Sequence, residues 1–510
     1  MEKRGNTIEK PGLLRLAYWE SLLALRSGDV RIALVVFSLL LFVAMILGVI
    51  RTQARQNNAR LAEQENRLVK KIFRDVLKGT IDSTETTEDK SSRKSRLTKQ
   101  LRMSAKSPYL VSHANDLWNA SLLPSPLSAL SVGASSKAWP DLYPIQGFSL
   151  SKTLQRSEQT RPDATVYGPF DTTFVIMVIT PLVIIGLTFN ASSHDRESAL
   201  QSLIVAQTSS LGRLMAVRCL VRAALLIGLV IGIVNGTLLI AFKDQFDWNV
   251  VLNLAVWNVS ASLYMMIWAA FSLFINSFAK SSSANGAALL LLWVILVLLI
   301  PKFVSSAVQE AIQTLPESEL VDREKSSFDH ASENADSLVK RFKLEHPNIE
   351  IRLDDEQQMT LARYLLAHNE AGKLAPENVA AHYSAQSTRA SYLNYCDWIS
   401  PAISFRNQSD QCSGNSERAF IAFSARVAEI HAQIGEVFLL PGIANTECTL
   451  EMIEALPALQ ESEIPKTPSF QNSIHSIGSM FIWLIILVSL GTRQFRTKFS
   501  SVQNIGLSKN

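Results

Sequence analysis

The chain has 510 residues, 47% hydrophobic and 18% charged, with a formal net charge of only +4 and a mean hydropathy of +0.14. Its apolar residues are gathered into runs rather than dispersed, which excludes an ordinary soluble multidomain protein. So small a net charge says little about partners; no nucleic-acid partner is expected.

A bilayer core about 30 Å thick takes roughly 20 apolar residues per helix, and six runs meet or approach that length. The stretch 1–31 carries Lys3, Arg4, Lys10, Arg15, Arg26 and Arg31 and leads into the first run, 32–50. That run starts far from the N-terminus and lacks a small-x-small exit site, so it reads as a retained signal anchor. Segment 51–171 is a large loop. In its opening "RTQARQNNARLAEQENRLVKKIFRDVLKG", Ala54, Leu61, Leu68, Ile72 and Val76 recur at helical spacing. The helix of the first run is therefore expected to continue outward to Gly79. "TIDSTETTEDKSSRKSR" is polar and reads as a linker, and "LLPSPLSALSVGASSKAWPDLYP" as an ordered loop.

The second run is 172–190, where Pro181 should bend the helix. Loop 191–217 holds "SSHDRESALQSLIVAQ". Here Ser192 and Asp195 have capping-box spacing, Asp195, Arg196 and Glu197 lead with charge, and Leu200, Leu203 and Ile204 share one face. A short amphipathic helix between two spans is either a solvated connector or a handle for a partner. The third run, 218–242, contains Gly228, Gly232 and Gly236, whose four-residue spacing leaves a groove for close helix approach. The partner helix is either in this chain or in another subunit. A short loop, 243–250, precedes the fourth run, 251–278, where Asn253 and Asn258, with Asn235, are expected to bond between helices. Loop 279–286 leads to the fifth run, 287–305, with Pro301 as a second bend.

The second large loop is 306–473. In it Phe420, Phe423, Val427, Ile430, Ile434 and Val437 alternate by three and four, which predicts a helix with one buried stripe. Cys396, Cys412 and Cys448 also fall here. If the stripe helix packs antiparallel to the segment before Cys396, the chain returns toward Cys396, so the expected bridge is Cys396–Cys448. The last run is 474–492, followed by the basic tail 493–510. Lys and Arg near the span ends place both termini and the loop 191–217 in the cytoplasm, and the two large loops outside. The fold class is thus an all-α polytopic membrane protein: six transmembrane helices with a mostly helical extracytoplasmic domain built from two long loops.

Catalytic motifs are missing. There is no G-x-x-x-x-G-K-[ST] loop, no H-E-x-x-H and no G-x-S-x-G. No Asp, Glu or His lies centrally in a run, as an ion-coupled carrier would require. The energy for any transport must then come from a partner, and 195–204 is the segment able to receive it.

The stretch "FDTTFVIMVITPLVIIGLTFNASSHDRESALQSLIVAQTSSLGRLMAVRCLVRA" resembles the second span, coupling helix and third span of ABC-2 transporter permeases. Asp195-Arg196-Glu197 matches the family's charged start and Leu200 the Leu after it. Ser198-Ala199 replaces the usual Gly-Thr, and Thr208 stands where Pro is common. "RLAYWESLLALRSGDVRIAL" resembles the family's interfacial helix. "SPYLVSHANDLW" and "DWISPAISFRNQSDQCSGNSERAFIAFSARVAEIHAQIGEVFLLP" resemble a branch with large outer loops containing a domain of unknown function. The resemblance implies an ABC-2 arrangement of the six spans, a bacterial inner-membrane location, and pairing with an identical or paralogous second permease. It also implies two copies of a separate ABC ATPase that bind the ATP and Mg, with no cofactor in this chain. Three functions stay open: an exporter permease, a complex transmitting shape change to a periplasmic partner, and an ATPase-independent scaffold or sensor.

Overall fold

The computed structural model describes residues 13–80, 93–108, 119–133, 143–144, 170–191, 193, 211–278, 281–314, 316–349, 351, 355–444, 446–456 and 470–507. Helix α1 (Leu13–Arg26) is amphipathic and turns Leu14, Tyr18, Trp19 and Leu23 outward, as a helix lying at a membrane surface does. Helix α2 (Gly28–Leu77) runs unbroken for 50 residues. It stops where the sequence predicts, at Gly79 with φ of +67°, a left-handed position that suits glycine. Helix α3 (Arg93–Ala105) packs back on its far end.

The expected second run forms a shorter apolar helix, α4 (Thr172–Thr188), about 25 Å long at 1.5 Å per residue. Among the described residues five further stretches are long and apolar enough to cross a membrane. They lie in α2, α5 (Leu211–Phe242), α6 (Trp248–Asn276), α7 (Ser282–Ala311) and α14 (Phe470–Leu507). The chain is therefore a multi-pass membrane protein of the all-α class, with strand pairing confined to Asn119–Ala120 and Tyr143–Pro144 among the described residues. The two large loops emerge on one side of this bundle, here termed the loop side; the other is the terminal side.

The helix is wound in the same way at both prolines. Five residues of α4, Val175–Ile179, and six of α7, Val294–Leu299, are wound as π-helix just before Pro181 and Pro301. Proline has no N–H to donate, so each site leaves backbone carbonyls without an intrahelical partner. Neighbouring side chains replace the missing donors. Tyr264 of α6 donates to the Met177 carbonyl at 2.7 Å, and Trp293 Nε1 to Val178 at 3.1 Å. In α7, the Leu296 carbonyl accepts the Ser400 hydroxyl at 2.7 Å.

On the loop side stand α8 (Glu317–Glu333), α9 (Ala335–Glu345), α10 (Glu356–Tyr395), α12 (Glu417–Ile443) and the short α13 (Leu450–Glu454). The stripe helix is α12: Phe423, Val427, Ile430, Ile434 and Phe438 bury against Val69, Ile72 and Phe73 of α2 and Leu101 of α3. Its end, at Ile443, joins a second core built from α8, α9 and α10.

Helix α11 (Pro401–Cys412) departs from the expected plan. It follows α10 in sequence yet packs inside the membrane bundle, where Ala402, Phe405 and Cys412 belong to the same core as Trp257, Tyr264 and Met480. A strap from the first large loop holds it there. Ser128 Oγ donates to the Ser413 carbonyl at 3.0 Å, Asn415 Nδ2 to the Ser131 carbonyl at 2.6 Å, and Ser131 bonds Asp410. The strap lies directly on α2 at Gly48, where an added Cβ would overlap the Ala129 carbonyl. Gly48→Ala must push the strap outward, and overpacking of this kind costs about 1–3 kcal/mol. A clearly lowered unfolding temperature in detergent is the expected result; an unchanged one means that the strap is not seated on Gly48.

Candidate functional site

The sequence points to the segment between α4 and α5. Its residues Asp195, Arg196, Glu197, Leu200, Leu203 and Ile204 lie outside the described residues, but both of its attachments are in place. Helix α4 ends at the terminal side with carbonyls that no intrahelical N–H can reach. Arg218 and Arg222, one turn apart at the start of α5, supply donors: Arg218 Nη1 to Ala191 at 3.0 Å, and Arg222 Nη1 to Leu187. Two cations at the negative end of a helix are favourable for the dipole as well. Arg218 Nε also pairs with Glu20 of α1 at 3.0 Å, and both side chains are largely buried. One residue thus joins α1, α4 and α5.

The opposite flank is held by uncharged groups. Ser193 accepts from Ser282, at the start of α7, at 2.7 Å. Thr188 donates to Ser272 of α6 at 2.7 Å, while Asn276 donates to the Thr188 carbonyl at 3.1 Å and accepts from Asn285 of α7 at 3.2 Å. A force applied to segment 194–210 would therefore reach α1, α4, α5, α6 and α7 through short, buried contacts. The sequence marks Arg218 and Arg222 only as topology signals; their carbonyl partners are non-local and carry no sequence pattern.

The glycine ladder packs against none of the described residues. Gly228, Gly232 and Gly236 have nothing within 4 Å of an added Cβ. Helix α5 instead buries Leu226, Val230, Val234 and Leu238, a ridge two residues out of phase and so on the opposite face. Two of the three asparagines bond between helices, Asn258 Nδ2 of α6 donating to Asn235 Oδ1 of α5 at 3.3 Å.

The expected Cys396–Cys448 bridge is absent, and all four cysteines are free thiols. The two residues sit in different packing units, because α11 draws the chain after Cys396 into the bundle. Cys448 is buried beside α3, with its N–H on the Ala105 carbonyl at 2.9 Å. Burial, with the Glu447 charge adding to it, pushes its thiol up to about 12. Among the described residues no group of three His, Cys, Asp or Glu could hold a metal ion.

Asp397, in the turn between α10 and α11, is a buried acidic group at the loop side. It accepts from Ser476 of α14 and from Asn407 Nδ2 at 2.7 Å. Burial pushes its carboxyl up to about 6 from 3.8, against the opposing effect of those two hydrogen bonds and of the His475 charge. The folded state then holds its proton more tightly than the unfolded state. The stabilisation is complete below about pH 4 and lost as pH rises through about 6, an effect of order 3 kcal/mol. The unfolding temperature of Asp397→Asn minus that of the parent should climb between pH 4 and 6.5 and level off above. A difference that stays flat over this window contradicts the assignment.

A family model described as ABC-2 family transporter protein matches residues 24–498. No curated protein and no solved structure matches the chain.

Proposed function

The chain belongs to the ABC-2 transporter family, and on that premise we propose that this permease subunit serves an ATP-driven exporter of a bacterial inner membrane. Its energy comes from two copies of a separate ABC ATPase, which bind the ATP and Mg and dock on segment 195–204. The observation that carries this reading is the frame around that segment: Arg218, Arg222 and Glu20 on one flank, Ser193, Thr188 and Asn276 on the other. A plain connector has no need of five helices converging on its ends. The Lys and Arg distribution supports a cytoplasmic terminal side. A second permease, identical or paralogous, completes the unit, and the open glycine face of α5 offers it a surface for close approach.

A second reading has the same machine transmit movement to a periplasmic partner without passing a substrate. The continuous α2 favours it, since one rigid helix joins the membrane bundle to the loop-side core. Co-expression with the ATPase, purification of the intact complex and assay of ATP-driven substrate movement in vesicles test the proposal. Co-purification with nucleotide-dependent movement is the expected result. Hydrolysis without movement supports the second reading, and failure of the ATPase to bind rejects both.

A further inference from the structure

The end of α10 nearest the bundle exposes aromatic surface and no charge. In the stretch Ala390–Ile399 the single charged residue is Asp397, and it is buried. Exposed instead are Tyr392, Tyr395, Trp398 and Ile399, with Tyr395 at 69%. One to three turns earlier the same helix exposes the hydroxyl residues Ser384, Ser387 and Thr388. Toward the bundle its outer surface thus passes from hydroxyl to tyrosine, then to tryptophan and isoleucine. A helix end in water gains nothing from that order. It is the order of a membrane interface, where Tyr and Trp rings lie at headgroup level and aliphatic side chains below them.

The contacts of the turn after α10 set its depth. Trp398 Nε1 donates to His475 Nε2 of α14 at 3.0 Å, Ser476 of α14 donates to Asp397, and Trp483 Nε1 of α14 donates to the Trp398 carbonyl at 3.1 Å. The apolar stretch of α14 begins at Ser473, so these partners lie about 3–15 Å inside it along the helix. Ser400, next in the chain, donates to the Leu296 carbonyl of α7 at 2.7 Å. The turn therefore lies level with the ends of the spans, not above them. The surface beside it is apolar and exposed: Ile482, two turns beyond His475 on the same ridge of α14, with Phe481 and Ile485. The aromatic face continues that lipid-facing surface toward the loop side. Its rings are fixed in place, since Tyr395 and Trp398 both meet His475 edge-on, with centroids 6.0 and 5.4 Å away.

We propose that Tyr392–Ile399 is an interfacial anchor whose occupant is the phospholipid leaflet at the loop side. Tyr392 and Tyr395 stand among the headgroups, and Trp398 and Ile399 against the upper acyl chains. The anchor ties the base of the loop-side domain to lipid as well as to the spans, and it stands whether or not the chain moves a substrate. A partner protein or a second copy could also cover exposed rings, but continuity with the lipid-facing ridge of α14 selects lipid.

The test uses the full chain in nanodiscs of phosphatidylethanolamine and phosphatidylglycerol. Cys396→Ser removes the one cysteine that is not buried. In that background Tyr395→Cys, Ile399→Cys and Ser387→Cys each carry an NBD fluorophore, and the Ser387 position controls for the label's own affinity for lipid. Tyr392→Cys repeats the measurement, so the result does not hang on one variant at headgroup level. Two quenchers are compared: a phospholipid with a nitroxide near the head of its acyl chain, and iodide in the buffer. At the Tyr395 and Ile399 positions the nitroxide should quench several-fold more than at Ser387, and iodide several-fold less. Iodide quenching equal to that at Ser387 puts the face in water and overturns the anchor. Resistance to both quenchers means that protein covers the face, and overturns it as well.

Discussion

Arg218→Ala should lower the stability of the folded chain by about 3–5 kcal/mol, the effect of removing one member of a buried ion pair. The substitution leaves Glu20 largely buried without its 3.0 Å partner and leaves the Ala191 carbonyl without the guanidinium N–H that caps it. The Glu20 carboxylate would then face the negative end of α4 with Arg222 left alone of the two cations that cap it. Arg218→Lys should recover only part of the loss, because an ammonium cannot reach both acceptors from one fixed fork. Glu20→Gln keeps a hydrogen-bond acceptor and removes the stranded charge, so it should be milder than Arg218→Ala. Denaturant unfolding in detergent measures all three. A loss below about 1 kcal/mol for Arg218→Ala places this pair among solvent-screened surface bridges and removes the brace from the site. In the ATPase complex the same variant should bind the ATPase yet transmit its strokes poorly, since the segment would remain while its footing on α1 and α4 is loosened.

The spans were legible because a bilayer leaves little choice: backbone groups must pair within each helix, and the apolar runs follow. The outward extension of α2 was legible for a different reason, in that a helical period persisted into polar sequence and ended at Gly79. What escaped was anything that depends on non-local polar pairing. Nothing local in "ISPAISFRNQSDQC" announces that Ser404, Gln408 and Ser409 bond to the spans. Their partners are Trp257, Ser473 and Ser479, brought up from other helices. The same holds for Arg218 and Arg222, whose charge is visible at a span end while the carbonyls they cap are not. The glycine ladder lies between these cases. Its groove follows from spacing alone, but the face that α5 turns inward was set by Leu226, Val230, Val234 and Leu238, a competing ridge with more area to bury.

Leu203→Ala should weaken association with the ATPase about tenfold or more. Segment 195–204 is read as an amphipathic helix whose apolar face of Leu200, Leu203 and Ile204 docks in a cleft of the ATPase. Burying one Leu contributes about 1.5–3 kcal/mol, and each 1.4 kcal/mol is a factor of ten in affinity. Glu197→Lys acts differently. It puts a positive charge in the first turn of a helix, where the dipole favours a negative one, and it alters the charge pattern that sets orientation more than affinity. Its expected signature is an ATPase that still binds while hydrolysis no longer drives movement. Controls belong on the loop side, where no ATPase reaches: Leu344→Ala, at a side chain 83% exposed at the end of α9, and Glu85→Lys. Titration of labelled ATPase into nanodisc-held permease gives the affinity, and vesicle transport gives the coupling. The frame around the segment makes this comparison decisive, because Arg218, Arg222, Ser193 and Asn276 hold its ends whether or not anything docks on it. If Leu203→Ala and Glu197→Lys match the controls in both measurements, the segment is a connector and the energy enters the permease elsewhere.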